Sequence, residues 1–293
     1  MMLRNSDYNA PAVLAALLRT YGFGMQKKFG QNFLINEHIR RELVAALAPE
    51  KTEHIWEVGP GLGGMTLLLL ETGAAVTAFE IDRGFSQILR SAFGSYQNFK
   101  LVHGDVLKTW RTEYGLHRPD CFFGNLPYNI AAKIIAGTIE SECFFKKLAV
   151  TVQKEVGIRM TAKPGSADYS SFSVLCQWQY DIKPIRDISP AAFWPRPNVD
   201  SRAVLFTRKK DVLSVQEPRL FFRLVRSLFS ARRKTLKNTL TVFLAASGKP
   251  TASSAAAAVL RESGIPDKAR AETLSVYDFI RLSDILSNYN EHL

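Results

Sequence analysis

Short apolar runs alternate with helical stretches from residue 55 onward. Five runs have the length and composition of strands: Ile55–Val58, Ala75–Glu80, Lys100–Gly104, Cys121–Gly124 and Leu148–Val152. Stretches with helical spacing precede or separate them: Ile39–Leu47, Met65–Glu71, Arg83–Phe93 and Ala131–Ile139. Alternation of this kind is typical of a parallel sheet covered by helices. The pattern therefore predicts an open α/β domain.

The pattern changes in the last third of the chain. Gln177–Pro184 and Ala203–Arg208 are predicted to add two strands, and no strand-like run follows Lys209. In Arg219–Leu244 apolar residues recur mostly every three or four positions with basic residues between them, which predicts a basic amphipathic helical element. We therefore expect an α/β domain over residues 1–208, with an N-terminal helical extension, and a smaller all-helical domain over residues 209–293.

Three shorter segments complete this prediction. Ala10–Leu18 is predicted to form a short amphipathic helix rather than a signal peptide, because Asp7 precedes it and no clear cleavage site follows. Gly248–Ala258 is small and polar and is predicted to be a linker, and Tyr277–Ser287 is predicted to be the final helix.

Composition excludes several classes of protein. With 293 residues the chain can bury a large core, and its three cysteines form no CxxC pair, so we expect reduced thiols in the cytoplasm and no disulfides. No apolar run approaches the roughly 20 residues of a membrane span, and no His/Cys grouping has the spacing of metal ligands.

The net charge of +11 is concentrated in one segment. Between Arg202 and Lys249 there are twelve basic and two acidic residues, so this segment carries +10 of the +11. A polyanion such as nucleic acid is the expected partner, and the cluster Arg232, Arg233, Lys234 and Lys237 is the candidate RNA-binding site. The alternative is a solvated helix face.

The ends of three consecutive predicted strands carry the residues of a nucleoside site. The first strand runs into a glycine loop from Gly59 to Gly64, where backbone N–H groups at a helix start can meet a ligand. Glu80 ends the second strand, where an acid can accept hydrogen bonds from ribose hydroxyls, and Asp105 follows the third, where an acid can accept from an adenine amine. The set predicts a cofactor that contains adenosine. Because Gly59, Gly61 and Gly64 also satisfy G-x-G-x-x-G, a nicotinamide or flavin remains open at this point.

The fourth strand ends in Asn125-Leu126-Pro127-Tyr128, which favours methyl transfer over hydride transfer. The lone pair of an adenine amine is delocalised into the ring, so the nitrogen is a poor nucleophile. The Asn125 side-chain carbonyl and a main-chain carbonyl of the proline turn, assigned to Leu126, can accept its hydrogens and localise the lone pair. Tyr128 offers a face on which an unstacked base can lie.

These residues resemble the S-adenosylmethionine-dependent methyltransferases that modify adenine. More narrowly, the chain is similar to the ribosomal RNA adenine dimethyltransferase family of KsgA type. The resemblance covers most of the chain and extends through four further blocks: residues 27–34, 153–156, 193–201 and 232–238. It implies a Rossmann-like class I methyltransferase domain with a C-terminal helical domain.

The resemblance also assigns roles to single residues. It implies cofactor contacts from Asn32, Leu34, Gly59, Glu80, Asp105 and Asn125. It implies that Phe193 is a second stacking aromatic, facing Tyr128 across the target base. The family usually has Lys at position 198 and glycines at positions 170 and 171, where this chain has Asn198, Ser170 and Ser171, which puts contacts around the substrate in doubt.

The implied substrate is a pair of adjacent adenosines near the 3' end of small-subunit rRNA, each dimethylated at its 6-amino group within an immature small ribosomal subunit. We expect a cytoplasmic monomer with no membrane partner. One alternative is a related methyltransferase that acts on large-subunit rRNA and confers antibiotic resistance. A non-catalytic RNA-binding factor with the same fold is another, although its strand ends would be mutated.

Overall fold

A computed structural model describes residues 4–24, 31–246 and 252–291. Two predictions fall partly outside these ranges. They are the Lys27–Gly30 part of the first resemblance block and the start of the predicted linker Gly248–Ala258.

The described chain contains nine strands and twelve α-helices. The strands are β1 Phe33–Leu34, β2 His54–Val58, β3 Ala75–Glu80, β4 Phe99–His103, β5 Cys121–Asn125, β6 Lys147–Gln153, β7 Tyr180–Ile188, β8 Phe193–Trp194 and β9 Ser201–Arg208. The helices are α1 Pro11–Thr20, α2 Glu37–Leu47, α3 Gly64–Glu71, α4 Arg83–Phe93, α5 Val106–Leu116, α6 Ala131–Glu140, α7 Lys154–Thr161, α8 Ser171–Gln179, α9 Pro218–Phe229, α10 Leu236–Ala246, α11 Ala252–Ser263 and α12 Val276–Glu291. Short 3-10 helices lie at Asn5–Asn9, Pro190–Ala192 and Ala271–Thr273.

A seven-stranded sheet has the order β4-β3-β2-β5-β6-β9-β7. The strands from β4 to β6 are parallel, and β9 joins β6 antiparallel. The chain order reverses between β2 and β5, and in open α/β sheets ligands bind beside such a reversal, at the carboxyl ends of the strands. The predicted α/β class and parallel sheet are confirmed.

The strands next to this reversal are buried on both faces. Trp56 packs edge-on against Phe79 and Phe145, with ring centroids 4.9 and 5.9 Å apart. Buried apolar strands read as nearly continuous hydrophobic runs, which is why the sequence predicts β2, β3 and β5 to within one residue of their bounds.

Three predictions of local structure are wrong in part. Gln177–Pro184 is not one strand, since α8 continues to Gln179 before β7 begins. A reciprocal pair of hydrogen bonds between Ser170 and Ser173 caps the start of α8, and Trp178 near its end packs on Phe221 and Phe222 of α9. Helix capping and tertiary packing here outweigh the strand-like composition.

The other two corrections concern the C-terminal helices. The element predicted over Arg219–Leu244 is two helices, α9 and α10, separated by a turn. The predicted linker is helical from Ala252 onward, because alanine has the highest helix propensity and Ala256 and Val259 are buried.

The chain forms two compact units, each built from three segments. The first comprises Met1–Gly137, Cys143–Gly157 and Asp181–Arg208. The second comprises Thr138–Glu142, Ile158–Tyr180 and Lys209–Leu293. The predicted domain limits, 1–208 and 209–293, stay a prediction. The chain passes from the first unit to the second after Arg208, and Thr138–Glu142 and Ile158–Tyr180 also belong to the second unit. In the described ranges, no helix is both long and apolar enough to cross a bilayer.

Candidate active site

A cavity in the first unit opens where β2, β3, β4 and β5 end. Eight of the nine residues predicted for cofactor and catalysis line it: Asn32, Leu34, Gly59, Glu80, Asp105, Asn125, Leu126 and Tyr128. They come from five separate stretches of chain. Four of these lie at the carboxyl ends of β2, β3, β4 and β5 of the parallel sheet, and the fifth contains β1, which pairs with β8 in a separate two-stranded sheet. The structure therefore places the predicted residues together, while the role of each stays a prediction.

The glycine loop packs closely against the Phe33 ring and has positive φ angles. Gly59 and Gly61 have φ values of +73° and +56°, a region that residues with a Cβ rarely adopt. A Cβ at Gly61 would lie 2.6 Å from the Phe33 ring, which leaves no room for a side chain. The loop therefore brings its backbone N–H groups close to the cavity.

Glu80 is buried at the end of β3 and is held by backbone donors. Its two carboxylate oxygens accept from the Asp82 N–H at 2.8 Å and the Gly61 N–H at 3.2 Å. Burial raises the pKa of Glu80 to about 7, although these N–H groups favour the charged form. Each carboxylate oxygen has a second lone pair, so the group can still accept from ribose hydroxyls.

Glu57 is a second buried carboxyl on the same cavity. It lies on β2 and accepts a hydrogen bond of 2.7 Å from the Thr66 hydroxyl of α3. Burial raises the pKa of Glu57 to about 8, the Thr66 bond opposes the shift, and the charge of Glu80 adds to it. Neither acid forms an ion pair within the described residues, so both carboxyls line the cavity without a cationic partner.

Asp105 caps the helix that follows β4. One of its carboxylate oxygens accepts from the Leu107 N–H at 3.0 Å, at the start of α5. Capping leaves the remaining acceptor sites of the carboxylate for an adenine amine. The predicted role in cofactor binding and a role in helix capping are therefore compatible.

Asn125 has a fixed side-chain orientation. Its Nδ2 donates to the Asn32 main-chain oxygen at 2.7 Å. One amide hydrogen is therefore engaged, which sets the orientation of the side chain. The carbonyl oxygen is the acceptor that can hold an amine by its hydrogens. This bond also explains why Asn32, 93 residues away in sequence, belongs to the same site.

The two aromatic residues predicted to hold the base are placed differently. Tyr128 lines the cavity, and its hydroxyl shares a hydrogen bond of 2.6 Å with the buried Ser201 hydroxyl on β9. Phe193 is 3% exposed, pairs with Leu34 across the β1 and β8 strands, and is absent from the cavity lining. The stacking role of Phe193 stays a prediction, one that would require Phe193 to become accessible.

Sequence reasoning missed part of the cavity wall. Tyr8, Leu14 and Arg40 also line it. The first two precede the recognisable motifs, and Arg40 lies in an amphipathic helix, where an arginine is normally expected to face solvent. Tyr8 has no distinctive sequence pattern around it, and only the structure shows that it is buried.

In the second unit, the four predicted RNA-binding residues fall into two pairs. Arg232 donates to the main-chain oxygens of Ala167 and Tyr169 and pairs with Glu272, while Lys237 lies 3.4 Å from Asp267. Arg233 and Lys234 are exposed. Arg232 and Lys237 thus already have partners within their own unit.

The cavity fits S-adenosylmethionine. This cofactor has positive charge on its sulfonium and ammonium groups and hydroxyls on its ribose, and the cavity offers two buried carboxyls without a cation. Glu80, Asp105, Gly59 and Asn32 are the residues that would hold it. Among the described residues, no group of His, Cys, Asp and Glu has the arrangement of a metal site.

Comparisons with known proteins agree on one family. Residues 22–285 match the family described as "Ribosomal RNA adenine dimethylase". The chain is 48% identical over 283 residues to the "Ribosomal RNA small subunit methyltransferase A" of Treponema pallidum (strain Nichols), covering 96% of this chain and 97% of that protein. It is 41% identical over 293 residues to the protein of the same name from Borreliella burgdorferi (strain ATCC 35210), covering 99% of each.

Two solved structures share the fold. A dimethyladenosine transferase from Plasmodium falciparum has a TM-score of 0.74 at 22% identity, covering 87% of this chain and 96% of that one. The 23S rRNA methyltransferase ErmE has a TM-score of 0.64 at 20% identity, covering 87% and 99%. The family match over most of the chain, together with the curated relatives, shows that the chain belongs to the ribosomal RNA adenine dimethylase family.

Proposed function

We propose that the protein transfers methyl groups from S-adenosylmethionine to the 6-amino groups of two adjacent adenosines near the 3' end of small-subunit rRNA, twice per base, within an immature small subunit. The relatives from Treponema and Borreliella are named for the small subunit, at 48% and 41% identity. These names favour the small subunit over the large-subunit alternative. Membership of the family decides against a nicotinamide or flavin enzyme.

The observation that carries this proposal is the hydrogen bond from Asn125 to Asn32. It fixes the Asn125 carbonyl oxygen as an acceptor, and an acceptor can hold an amine hydrogen and localise the nitrogen lone pair. A non-catalytic RNA-binding factor would have no need for this arrangement, nor for intact acids at the ends of β2 and β3.

The residues around the cavity divide the work of methyl transfer. S-adenosylmethionine supplies an electrophilic methyl group on a sulfonium. Asn125 and the Leu126 carbonyl hold the target amine. The base stacks on the ring of Tyr128, and the Tyr128 hydroxyl shares a hydrogen bond with the Ser201 hydroxyl. No general base is required, because the nitrogen becomes strongly acidic once it carries the new methyl group. Positioning is therefore the main contribution of the protein to the rate.

The basic cluster in the second unit is proposed to contact RNA phosphates, with Arg233 and Lys234 as its principal members. Both are exposed, whereas Arg232 and Lys237 would have to leave protein partners. A cytoplasmic monomer that acts on immature subunits is part of the same proposal.

The proposal is tested by mapping labelled methyl groups. Immature small subunits, naked small-subunit rRNA and large-subunit rRNA are incubated separately with the protein and labelled S-adenosylmethionine, and the digested RNA is analysed by mass spectrometry. We expect dimethyladenosine at two adjacent positions near the 3' end of small-subunit rRNA. Label that appears only in large-subunit rRNA would contradict the proposal.

The salt dependence of RNA affinity distinguishes the contribution of Arg233 and Lys234 from that of Arg232 and Lys237. Changing Arg233 and Lys234 to Gln should reduce the slope of log affinity against log salt by about 1 for each phosphate that the variant no longer neutralises. Changing Arg232 and Lys237 to Gln should reduce it less. Filter binding at several salt concentrations measures both slopes, and equal slopes in all variants and the wild type would show a solvated face only.

A further inference from the structure

Arg40 is a buried charge without an acidic partner. Its side chain is 0% exposed, and no carboxylate forms an ion pair with it within the described residues. Burial lowers the pKa of its guanidinium. Burying a guanidinium costs folding free energy unless hydrogen bonds satisfy it. The acceptors of Arg40 therefore indicate which parts of the chain it holds together.

Those acceptors belong to two separate stretches of chain. Nη1 donates to the Leu34 main-chain oxygen at 2.9 Å and the Tyr8 main-chain oxygen at 3.4 Å. Nη2 donates to the Asn5 main-chain oxygen at 3.0 Å and to Asn9 Oδ1 at 2.9 Å. One side chain on α2 therefore joins β1 to the 3-10 helix Asn5–Asn9 near the start of the chain.

Both stretches form the wall of the cofactor cavity. Tyr8 and Leu34 line it, and Asn32, two residues before Leu34, is held against Asn125. The Tyr8 ring also lies against the glycine loop, since a Cβ at Gly64 would be 3.0 Å from Tyr8 Cδ1. The guanidinium carbon of Arg40 is itself 5.8 Å from the centre of the Tyr8 ring.

The geometry points to Arg40 as a positioning residue that fixes the N-terminal wall of the cofactor cavity in its binding-competent arrangement. Without it, the acceptors on Asn5, Tyr8, Asn9 and Leu34 would lose their shared donor, and the wall would spend part of its time detached. Apparent affinity falls in proportion to the fraction of protein whose wall is in place. The effect should therefore appear in cofactor binding more than in the chemical step.

The matched pair of variants is Arg40→Met and Arg41→Met. Arg41 is the next residue of the same helix, is exposed, and bonds the Glu37 side chain. Isothermal calorimetry with S-adenosylmethionine should show Kd raised about tenfold or more for Arg40→Met and unchanged for Arg41→Met. With saturating cofactor, kcat should remain close to that of the wild type.

Limited proteolysis gives a readout that does not depend on turnover. Trypsin can cut after Arg4 and Arg19, which are both exposed. Arg4 directly precedes the 3-10 helix that Arg40 holds, and Arg19 lies in α1, which follows that helix. We expect faster cleavage at these sites in Arg40→Met than in Arg41→Met. A purely structural role would lower Tm without a selective change at these two sites.

Two milder variants keep the inference testable if Arg40→Met does not fold. Asn9→Ala removes one acceptor at an exposed position and should raise Kd about threefold. Arg40→Lys keeps the positive charge but cannot reach acceptors in two directions, and it should also weaken binding. Wild-type Kd in Asn9→Ala or in Arg40→Lys, or in a folded Arg40→Met, would overturn the inference. A wild-type protein that binds no cofactor would instead refute the cofactor assignment.

Discussion

The acids at the two ends of the strands in the central sheet have opposite pKa shifts. We call the end where the strands finish the carboxyl edge and the end where they begin the opposite edge. At the carboxyl ends of the strands, Glu57 and Glu80 are buried without a cation, and burial raises both pKa values. At the opposite edge, Glu53 and Asp120 share the Lys146 ammonium, at 3.0 and 2.9 Å. Burial also acts on the pKa values of these two acids, but backbone N–H groups and Lys146 outweigh it and lower them.

This difference separates the edge that we propose binds the cofactor from the edge that stabilises the fold. The Glu53, Asp120 and Lys146 cluster is complete within the protein, so its charges contribute to folding and need nothing from outside. At the carboxyl edge, burial raises the pKa values of both acids, and no ion pair within the described residues offsets it. Perturbed acids of this kind are typical of functional sites.

The largest expected effect at the carboxyl edge comes from Asn125→Ala. Loss of the acceptor for the target amine should lower turnover by orders of magnitude while RNA affinity stays nearly unchanged, because phosphate contacts elsewhere supply most of that affinity. Single-turnover methylation and filter binding measure the two quantities. Asn129→Ala, an exposed change in the same turn, is the control. Wild-type dimethylation by Asn125→Ala would remove this residue from the mechanism.

Glu80→Gln should weaken cofactor binding by a factor of about 10 to 100, the scale of lost hydrogen bonds to a charged group. Because the pKa of Glu80 lies at about 7, wild-type affinity should also fall as pH drops from 8 to 6, when the carboxylate becomes protonated. Calorimetry at both pH values tests this, with Glu113→Gln, a change on α5 outside the cavity lining, as the control. A pH dependence that persists unchanged in Glu80→Gln would assign it to another group.

Glu57→Gln should stabilise the cofactor-free protein at pH 8. The folded pKa of about 8 lies above the ordinary value of 4.5, so the folded state holds the extra proton between these values and stability falls as pH rises through that window. Each pKa unit corresponds to about 1.4 kcal/mol, so the gain should be at least of that order. Urea unfolding at pH 8 and at pH 4.5 measures it, and an equal difference at both pH values would contradict the prediction.

Lys146→Met should have the smallest effect on function and a modest effect on stability. The lowered pKa values of Glu53 and Asp120 mean that their contribution is present at neutral pH and is lost as pH falls. Tm should therefore fall by a few degrees at pH 7 and less at pH 3, relative to the exposed control Lys108→Met. Cofactor affinity that fell with Tm would show that the two edges are coupled.

The parallel sheet was the most predictable part of the fold. Buried strands between helices have a strong pattern, and the bounds of β3 and α4 match the prediction at both ends. Glu80 and Asp105 followed from their positions at strand ends alone. Asn32 and Leu34 could be named only through the family resemblance, since a polar pair before a helix has no distinctive spacing.

Residues whose role depends on distant partners could not be predicted. The position of Arg40 in an amphipathic helix indicates solvent, and only the fold shows that the start of the chain covers it. Ser201 likewise has no distinctive sequence pattern, and only the fold shows that β9 places it beside the Tyr128 hydroxyl. The start of α8 at Ser171 depended on a cap, and the burial of Trp178 near its end depended on α9, which lies about 40 residues later in the chain.

The three-segment construction of the second unit has a consequence for protein synthesis. The segment Ile158–Tyr180 is synthesised before Phe221 and Phe222, on which Trp178 packs. Its apolar residues therefore cannot be buried until α9 has been synthesised. We expect chaperones to contact this segment during translation. A protein truncated after residue 208 would expose the same surface permanently and would be prone to aggregate.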